Sequence, residues 1–255
     1  MSPMFRRINF QKEPLGIYTS HQVAKSWNDP FDVVGVEEGR CRIVTDRTQR
    51  KNCLQVSYVK GKVGPKEGGV AWKMKLGQSV DELFAQYKVK FPVGFNYVQG
   101  GKLPGVGGGS LPAGGKVADE HGFTVRVMWR GEERGKRGRI VQYVYYLDKD
   151  PDYKWGKDMQ WNFDNKNLFF CPGKWHLLKT RVKMNNPGKK DGSIQSWLDG
   201  KLALDEKVRF RMGDEIGIDT FIFTTFFGGN TEEWAPKKNE HIFFDDFVIS
   251  TEDIS

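Results

Sequence analysis

The sequence has few of the residues that define a disulfide-rich, metal-binding or membrane protein. It contains three cysteines and four histidines, and neither CxxC nor HxH or HExxH spacing occurs, so no zinc site and no disulfide scaffold is indicated. A single disulfide between Cys41 and Cys53 stays open. No apolar run approaches the roughly 18 residues that cross a bilayer. We therefore expect no metal site and no membrane partner.

The N-terminus also lacks the pattern of a secretory signal. Met1 to Phe10 carries two arginines, but neither an apolar h-region nor a small-residue cleavage site follows. This pattern leaves open a cytosolic chain, a form that is mature after processing, or a protein released by lysis.

Positive charge is in excess. Forty Lys and Arg residues against thirty-two Asp and Glu residues give a net charge of +8, which favours an acidic partner. No RRM, zinc-finger or helix-turn-helix pattern accompanies the charge, so we expect no nucleic acid. The 30 glycines, 11 prolines and 13% aromatic residues are typical of a folded, turn-rich β protein.

Alternation with a period of two dominates the chain, whereas the one helix pattern is short, from Ser20 to Trp27 with Ser20 as its cap. Asp199-Gly200 predicts a tight hairpin. We expect one all-β domain over residues 1–255, with an N-terminal extension of about residues 1–15. Its fold should be an antiparallel two-sheet β-sandwich, a jelly roll, with one concave face free for a long ligand. The predicted strands are Cys53–Tyr58, Val70–Leu76, Leu83–Phe91, Phe123–Trp129, Ile140–Leu147, Trp175–Met184, Ile194–Leu204, Asp219–Phe227 and His241–Ile249.

The segment from Gly100 to Gly115 is rich in glycine, but it lacks the GxxxxGK[ST] order of a phosphate-binding loop. We interpret it as a loop between strands. Its one lysine, Lys102, has glycines and a proline close to it in sequence. This favours a rigid segment that holds a positive charge beside a groove.

Two strands place polar side chains on one face. Thr124, Arg126 and Met128 alternate with an apolar set that faces the core, and Tyr143 and Tyr145 share one face of the later strand. Taken singly, these features are typical of a solvated face or of cross-strand packing. Together with Lys102 they form a candidate site.

A third strand carries a basic face. Lys179, Arg181 and Lys183 alternate between Trp175 and Met184, which predicts either a solvated outer face or the lining of an anionic groove. We take Lys179 and Arg181 as candidate substrate-binding residues.

The segment Phe95 to Gly109, which reads FNYVQGGKLPGVGGG, resembles the signature of polysaccharide lyase family 14. That family includes alginate and glucuronan-type lyases of marine gastropods and chlorella viruses. The motifs Thr124-Val-Arg126, Tyr143-Val-Tyr145 and Phe226-Phe-Gly-Gly229 add to the resemblance, which runs from about Trp27 to Ile249.

The resemblance implies a jelly roll that binds an acidic polysaccharide and cleaves it by β-elimination beside a uronate carboxylate. It assigns catalytic roles to Lys102, Arg126, Tyr143 and Tyr145, and a hydrogen-bonding role in substrate binding to Thr124. Arg126 or Lys102 would neutralise the carboxylate, and a tyrosinate would take the proton; the order of the two tyrosines stays open. No cofactor is implied, and a monomer is the default expectation.

The same reading places the protein's action on extracellular or cell-wall polysaccharide, as a secreted mature form or as a virus-encoded or lysis-released enzyme. Two alternatives stay open. One is a non-catalytic carbohydrate-binding module on the same sandwich, and the other is a glycoside hydrolase, which needs paired carboxylates. The particular polyuronate and the choice of endo or exo cleavage are not encoded in these motifs.

Overall fold

The computed structural model describes residues 4–150 and 152–254, and antiparallel strands make up most of them. The helices are α1 (Ser20–Ser26) and α2 (Gly64–Glu67), and short 3-10 turns lie at Glu133–Gly135 and Glu232–Trp234. The strands are β1 (Phe5–Ile8), β2 (Gly16–Ile17), β3 (Phe31–Val34), β4 (Cys41–Asp46), β5 (Lys51–Tyr58), β6 (Val70–Val80), β7 (Glu82–Lys90), β8 (Gly100–Gly109), β9 (Gly122–Glu132), β10 (Arg137–Tyr145), β11 (Lys157–Gln160), β12 (Asn162–Phe163), β13 (Lys166–Asn167), β14 (Phe169–Phe170), β15 (Trp175–Lys183), β16 (Gly192–Leu198), β17 (Lys201–Val208), β18 (Ile218–Phe227) and β19 (Glu240–Ser250).

Two large sheets pack face to face. The nine-stranded sheet has the order β17-β16-β15-β7-β19-β5-β4-β2, with β1 paired to β19, and the eight-stranded sheet has the order β11-β10-β9-β8-β18-β6-β3, with β14 paired to β10. The expected antiparallel two-sheet sandwich is confirmed. Neighbours in each sheet are often distant in sequence, so the core forms only when strands from both ends of the chain have met.

Aromatic side chains fill the space between the sheets. Trp72 and Phe223 stack with ring centroids 3.9 Å apart, and Trp27 from α1 lies 5.2 Å from Trp72 and 5.0 Å from Phe247. Because these rings come from the helix and from both sheets, they join the layers into one buried cluster. Such rings bury large apolar areas, which is the main favourable contribution to the stability of a β-sandwich.

A row of hydrogen-bonded polar side chains also crosses the core between the two sheets. The Gln142 side chain donates from Nε2 to the carbonyl of Arg126 at 3.0 Å and accepts from Ser196 Oγ at 2.9 Å. Ser196 in turn lies 3.2 Å from Thr180 Oγ1. These buried groups are mutually satisfied, so they fix β9 and β10 against the opposite sheet.

Several local expectations need correction. The helix near Ser20 is present, but its cap is Thr19, whose side chain and that of Gln22 form a reciprocal capping box. Cys41 and Cys53 are buried free thiols. In the β4–β5 ladder Cys41 faces Val56 while Cys53 faces Val44, so the two sulfurs lie on opposite faces of the sheet and no bridge joins them.

The N-terminal segment and the Asp199-Gly200 hairpin can also be compared with the expectations from the sequence. The expected N-terminal extension contributes β1, which pairs with β19, and Phe10 is fully buried. Asp199 and Gly200 have positive φ angles of 52° and 85° and join β16 to β17 as predicted. Among the described residues, no helix is long and apolar enough to span a bilayer.

The glycine-rich segment is the clearest departure from expectation, because its first part is the central strand β8. Its pairing register shifts between Lys102 and Gly105, where Pro104, which has no N–H to donate, occupies the bulge. A Cβ atom on Gly105 would lie 2.0 Å from the carbonyl oxygen of Val125. The glycines therefore serve close strand approach, and Lys102 is a strand residue.

We expect Gly105→Ala to destabilise the fold by about 2 kcal/mol or more, because the added methyl group meets backbone that cannot yield without moving a central strand. Gly228→Ala is the matched control, since its Cβ would meet its nearest neighbour at an ordinary 3.5 Å. Chemical denaturation of both variants measures the difference. Equal stabilities would contradict this account of β8.

Candidate active site

The face of the eight-stranded sheet that points away from the core carries a cleft of ≈ 680 Å³. Its floor comes from β6, β18, β8, β9 and β10, and its rims come from the segments after β8, β10 and β18. Residues lining it include Lys73, Lys102, Leu111, Thr124, Arg126, Met128, Arg130, Tyr143, Tyr145, Tyr153, Trp155, Phe226 and Trp234.

Strand register brings the predicted residues together. Lys102 lies directly opposite Met128, Arg126 lies opposite Tyr143, and Thr124 lies opposite Tyr145. Residues that face each other across antiparallel strands project to the same side of the sheet. Three neighbouring strands thus supply an amine, a guanidinium and two phenols to one surface.

Lys102 is buried in an electropositive setting. Its Nζ contacts the sulfur of Met128 and lies 3.2 Å from the centroid of the Tyr143 ring. Burial, followed by the charges of Arg126 and Arg130, lowers the pKa of Lys102 well below the usual lysine value, and Asp158 offsets only part of this. The neutral amine, which can accept a proton, is therefore accessible at lower pH than in an exposed lysine.

Arg126 is 5% exposed, and its Nε and Nη2 atoms have no hydrogen-bond partner among the described residues. The guanidinium carbon lies 5.9 Å from the Tyr143 ring centroid. Burial lowers the pKa of Arg126, yet a guanidinium stays charged in proteins. Open donors on a buried charge that borders a cleft form a receptor for an anion such as a carboxylate.

The two tyrosine hydroxyls lie 3.5 Å apart, and each accepts a backbone N–H from a rim segment. Gly156 donates to Tyr143 at 3.0 Å and Gly115 donates to Tyr145 at 3.3 Å. Burial, then hydrogen bonding and charge interaction with Tyr145, raise the pKa of Tyr143, against the opposing effects of Gly156 and Arg126. Tyr143 is accordingly held as the protonated phenol, a proton donor.

Thr124 has a supporting position. Its Oγ1 donates to the carbonyl of Pro112 at 2.9 Å, which ties the segment after β8 to the floor of the cleft. Because the Thr124 hydroxyl proton is already donated to Pro112, the hydroxyl oxygen can accept a hydrogen bond from a ligand but cannot donate one.

Some lining residues were missed by the sequence reasoning. Arg130 makes two hydrogen bonds to Asp158, at 2.7 and 2.8 Å, and both Arg130 and Trp234 border the cleft. The alternation that groups Thr124 with Arg126 continues to Arg130, because β9 runs on to Glu132. The predicted strand ended at Trp129, one residue before Arg130, so the sequence reasoning did not include this residue.

Lys179 and Arg181 are not brought to the cleft. They lie on β15 in the nine-stranded sheet and alternate with buried Leu178 and Val182, so they face outward from the opposite layer. Lys179 pairs with Asp253 at 3.0 Å and Arg181 with Glu82 at 2.6 Å. Of the two alternatives left open by the sequence, the structure therefore supports the solvated outer face for this strand, because alternation identifies a shared face but not the sheet to which it belongs.

Across residues 4–150 and 152–254, no group of three or more His, Cys, Asp or Glu residues is arranged to hold a metal ion.

The sequence profile of a known family matches most of the chain. The family is described as polysaccharide lyase 14, and the match covers residues 46–247. The chain belongs to this family. The resemblance inferred from the glycine-rich segment and the tyrosine pair is confirmed.

Solved structures share the fold of this polysaccharide lyase 14 protein. A variant of the alginate lyase Aly36B in complex with alginate trisaccharide has a TM-score of 0.85 and 22% identity, covering 98% of this chain and 99% of its own. The PL-14 alginate lyase of Aplysia kurodai has a TM-score of 0.77 and 21% identity, covering 96% and 98%. At these identities the likeness concerns the fold.

A curated relative adds a sequence match. The exolysin of Paramecium bursaria Chlorella virus 1 is 25% identical over 190 residues, which are 66% of this chain. The match spans 29% of the viral protein's length.

We expect Lys102→Met to stabilise this family member at neutral pH. The native pKa of Lys102 lies below the value of 10.5 for a free lysine, so at lower pH the unfolded chain binds the extra proton and is favoured. The free energy of unfolding should rise by up to about 1.4 kcal/mol for each unit of pKa depression, and the gain should shrink as the pH rises toward 10.5.

Denaturant unfolding at neutral and alkaline pH measures this effect. Lys207→Met, at an exposed position of β17, is the matched control and should show no such gain. A Lys102→Met variant less stable than the parent at pH 7 would contradict the lowered pKa of Lys102 in the folded protein.

Proposed function

We propose that this chain is a polysaccharide lyase that cleaves a polyuronate of the alginate type by β-elimination. The observation that carries the proposal is the convergence of Lys102, Arg126, Tyr143 and Tyr145 on one cleft. Support comes from the family, from the net charge of +8 and from the trisaccharide complex of Aly36B, a protein of the same fold. Glucuronan is the second substrate to be tested.

Arg126 is assigned to the substrate carboxylate. Its unpartnered Nε and Nη2 atoms can donate to that group and stabilise the negative charge that spreads onto it when the C5 proton leaves. Fixed donors in a site screened from water contribute most where charge develops in the transition state.

Lys102 is assigned as the general base. The sequence suggested a tyrosinate, but burial raises the pKa of Tyr143 and lowers that of Lys102, so the neutral amine is the more accessible base. The Lys102 amine takes the C5 proton and becomes an ammonium. The electron pair of the C5–H bond forms the C4–C5 double bond as the C4–O bond breaks.

Tyr143, supported by Tyr145, is assigned as the acid. Its hydroxyl proton passes to the departing O4, and the resulting tyrosinate is held by the Gly156 N–H and the nearby Arg126 charge. The Lys102 ammonium, whose Nζ lies 3.2 Å from the Tyr143 ring centroid, can return a proton to the tyrosinate through solvent. Both groups then regain their starting states.

The cleft supports this chemistry better than hydrolysis. Glycoside hydrolases use two carboxyl groups that flank the scissile bond, and among the lining residues in the described part of the chain Asp32 is the one acid. A binding module without activity would not require the buried amine beside the paired phenols.

The assay is ultraviolet absorbance of the unsaturated uronate product, followed on polymannuronate, polyguluronate and glucuronan separately. We expect the double substitution Tyr143→Phe and Tyr145→Phe to lower kcat by at least about 100-fold, since a positioned proton donor contributes roughly 10²–10⁴-fold. Tyr146→Phe, a buried neighbour that packs in the core, is the control and should retain activity. A folded parent protein with no signal on any polymer would overturn the lyase proposal.

We expect kcat/KM to rise with pH through the pKa of Lys102, because only the neutral amine accepts the C5 proton. The lowered pKa places this rise below the pH at which an exposed lysine would titrate, and deprotonation of the tyrosine acid ends it at high pH. Initial rates from acidic to alkaline pH give the profile. A profile that has no rising limb anywhere in this range would exclude Lys102 as the base.

A further inference from the structure

A single cross-strand row links the catalytic residues to the far edge of the cleft. Each residue of the row lies directly opposite the next on the neighbouring strand, and the row runs through Phe31, Lys73, Ile222, Gly105, Arg126 and Tyr143. Side chains of such a row project to the same face. Lys73 is therefore a second cation on the same line as Arg126.

The spacing along this row suits a sugar chain. Three strand-to-strand steps separate β6 from β9, which is about 14 Å at roughly 4.8 Å for each step. A 1,4-linked uronan advances by a similar length for each residue. A chain that lies across the strands with one carboxylate at Arg126 therefore brings another carboxylate, about three residues away, to Lys73.

The floor between the two cations is uncharged. It is formed by Ile222 and by Gly105, which adds no side chain. The intervening sugars thus meet an apolar, open surface and no competing cation on this row.

The surroundings of Lys73 suit a uronate residue. Its Nζ lies 2.6 Å from the carboxylate of Asp32 and 5.5 Å from the ring centroid of Phe31, while Lys75 Nζ lies 5.6 Å from the same ring. The Phe31 ring is partly exposed and offers an apolar platform for a sugar face. A uronate residue has a carboxylate group and a sugar ring with an apolar face of C–H groups. The Lys73 ammonium can pair with the carboxylate, and the Phe31 ring can pack against the C–H groups.

Beyond Lys73 and Phe31 the charge of the surface becomes negative. A second cleft of ≈ 470 Å³ shares Val34 with the first, and Asp29, Glu37 and Glu38 line it together with a single cation, Lys66. A polyanion gains little there. The favourable line for a uronan therefore ends at Lys73.

We propose that Lys73 and Phe31 form the terminal carboxylate subsite of the cleft, and that Asp32 stays paired with Lys73 until a substrate carboxylate displaces it. The Asp32 side chain is 58% exposed, and an exposed ion pair of this kind contributes little free energy, so displacement is easy. This inference rests on the proposed function and adds the residues that set the preferred chain length.

The test is kcat/KM on uronate oligosaccharides of defined length, from trisaccharides to octasaccharides, for the parent, Lys73→Gln and Asp32→Asn. We expect Lys73→Gln to lower kcat/KM roughly two- to fivefold on oligosaccharides long enough to span from Arg126 to Lys73, and to leave short ones unchanged. Asp32→Asn should shift the value in the opposite direction on the long substrates, because a competing negative charge is removed.

Lys207→Gln, in the opposite sheet, is the control for net charge and should match the parent at every length. Equal losses for Lys73→Gln on short and long oligosaccharides, or no loss on either, would overturn the subsite, as would a loss on long substrates for Asp32→Asn. Melting temperatures of the variants separate misfolding from loss of binding. If the parent itself yields no unsaturated product, the proposed function fails, and that result is distinct from an active parent with an unchanged length profile.

Discussion

Two basic side chains, Lys102 and Arg126, are buried on adjacent strands, and within the described residues neither has a carboxylate in ion-pair distance. Burying a charge without a partner is unfavourable, and the nearby Arg126 charge adds to that effect at Lys102, so the pKa of Lys102 falls and its neutral form is favoured. The fold tolerates the buried guanidinium and the free energy needed to deprotonate the amine because a large aromatic core joins both sheets. A carboxylate that enters the cleft supplies the missing partner, so the destabilised site and the preference for an anionic ligand have one physical origin.

The precision of the site comes from the sheet. Backbone pairing sets Arg126 against Tyr143, and the bulge at Pro104 turns Lys102 onto the same face, opposite Met128. Gln142, on the core side, anchors the carbonyl of Arg126 to the other layer. Side chains held by strands and by a satisfied buried network move less than side chains on loops, which suits electrostatic stabilisation that depends on fixed geometry.

The sequence contained much of this site because strand periodicity is local. Alternation alone put Arg126 on the face opposite the core, and the resemblance assigned Tyr143 to the same site, whereas their direct pairing comes from the strand register. The glycine-rich strand that carries Lys102 lacks a readable period, since glycines and a bulge interrupt it, so its conformation was missed while its role was inferred from resemblance. The sequence left two alternatives open for the basic face with Lys179, because the pairing of distant strands, which decides the sheet to which each face belongs, has no local signature.

Burial acts on the two proton-transfer groups in opposite directions and favours the neutral form of each. It lowers the pKa of Lys102 and raises that of Tyr143, so the resting site holds an amine ready to accept a proton and a phenol ready to donate one. A substrate carboxylate bound at Arg126 cancels part of the positive field that depresses the pKa of Lys102. Binding therefore strengthens the base at the moment it is needed, and a neutral ligand of the same shape would lack this effect.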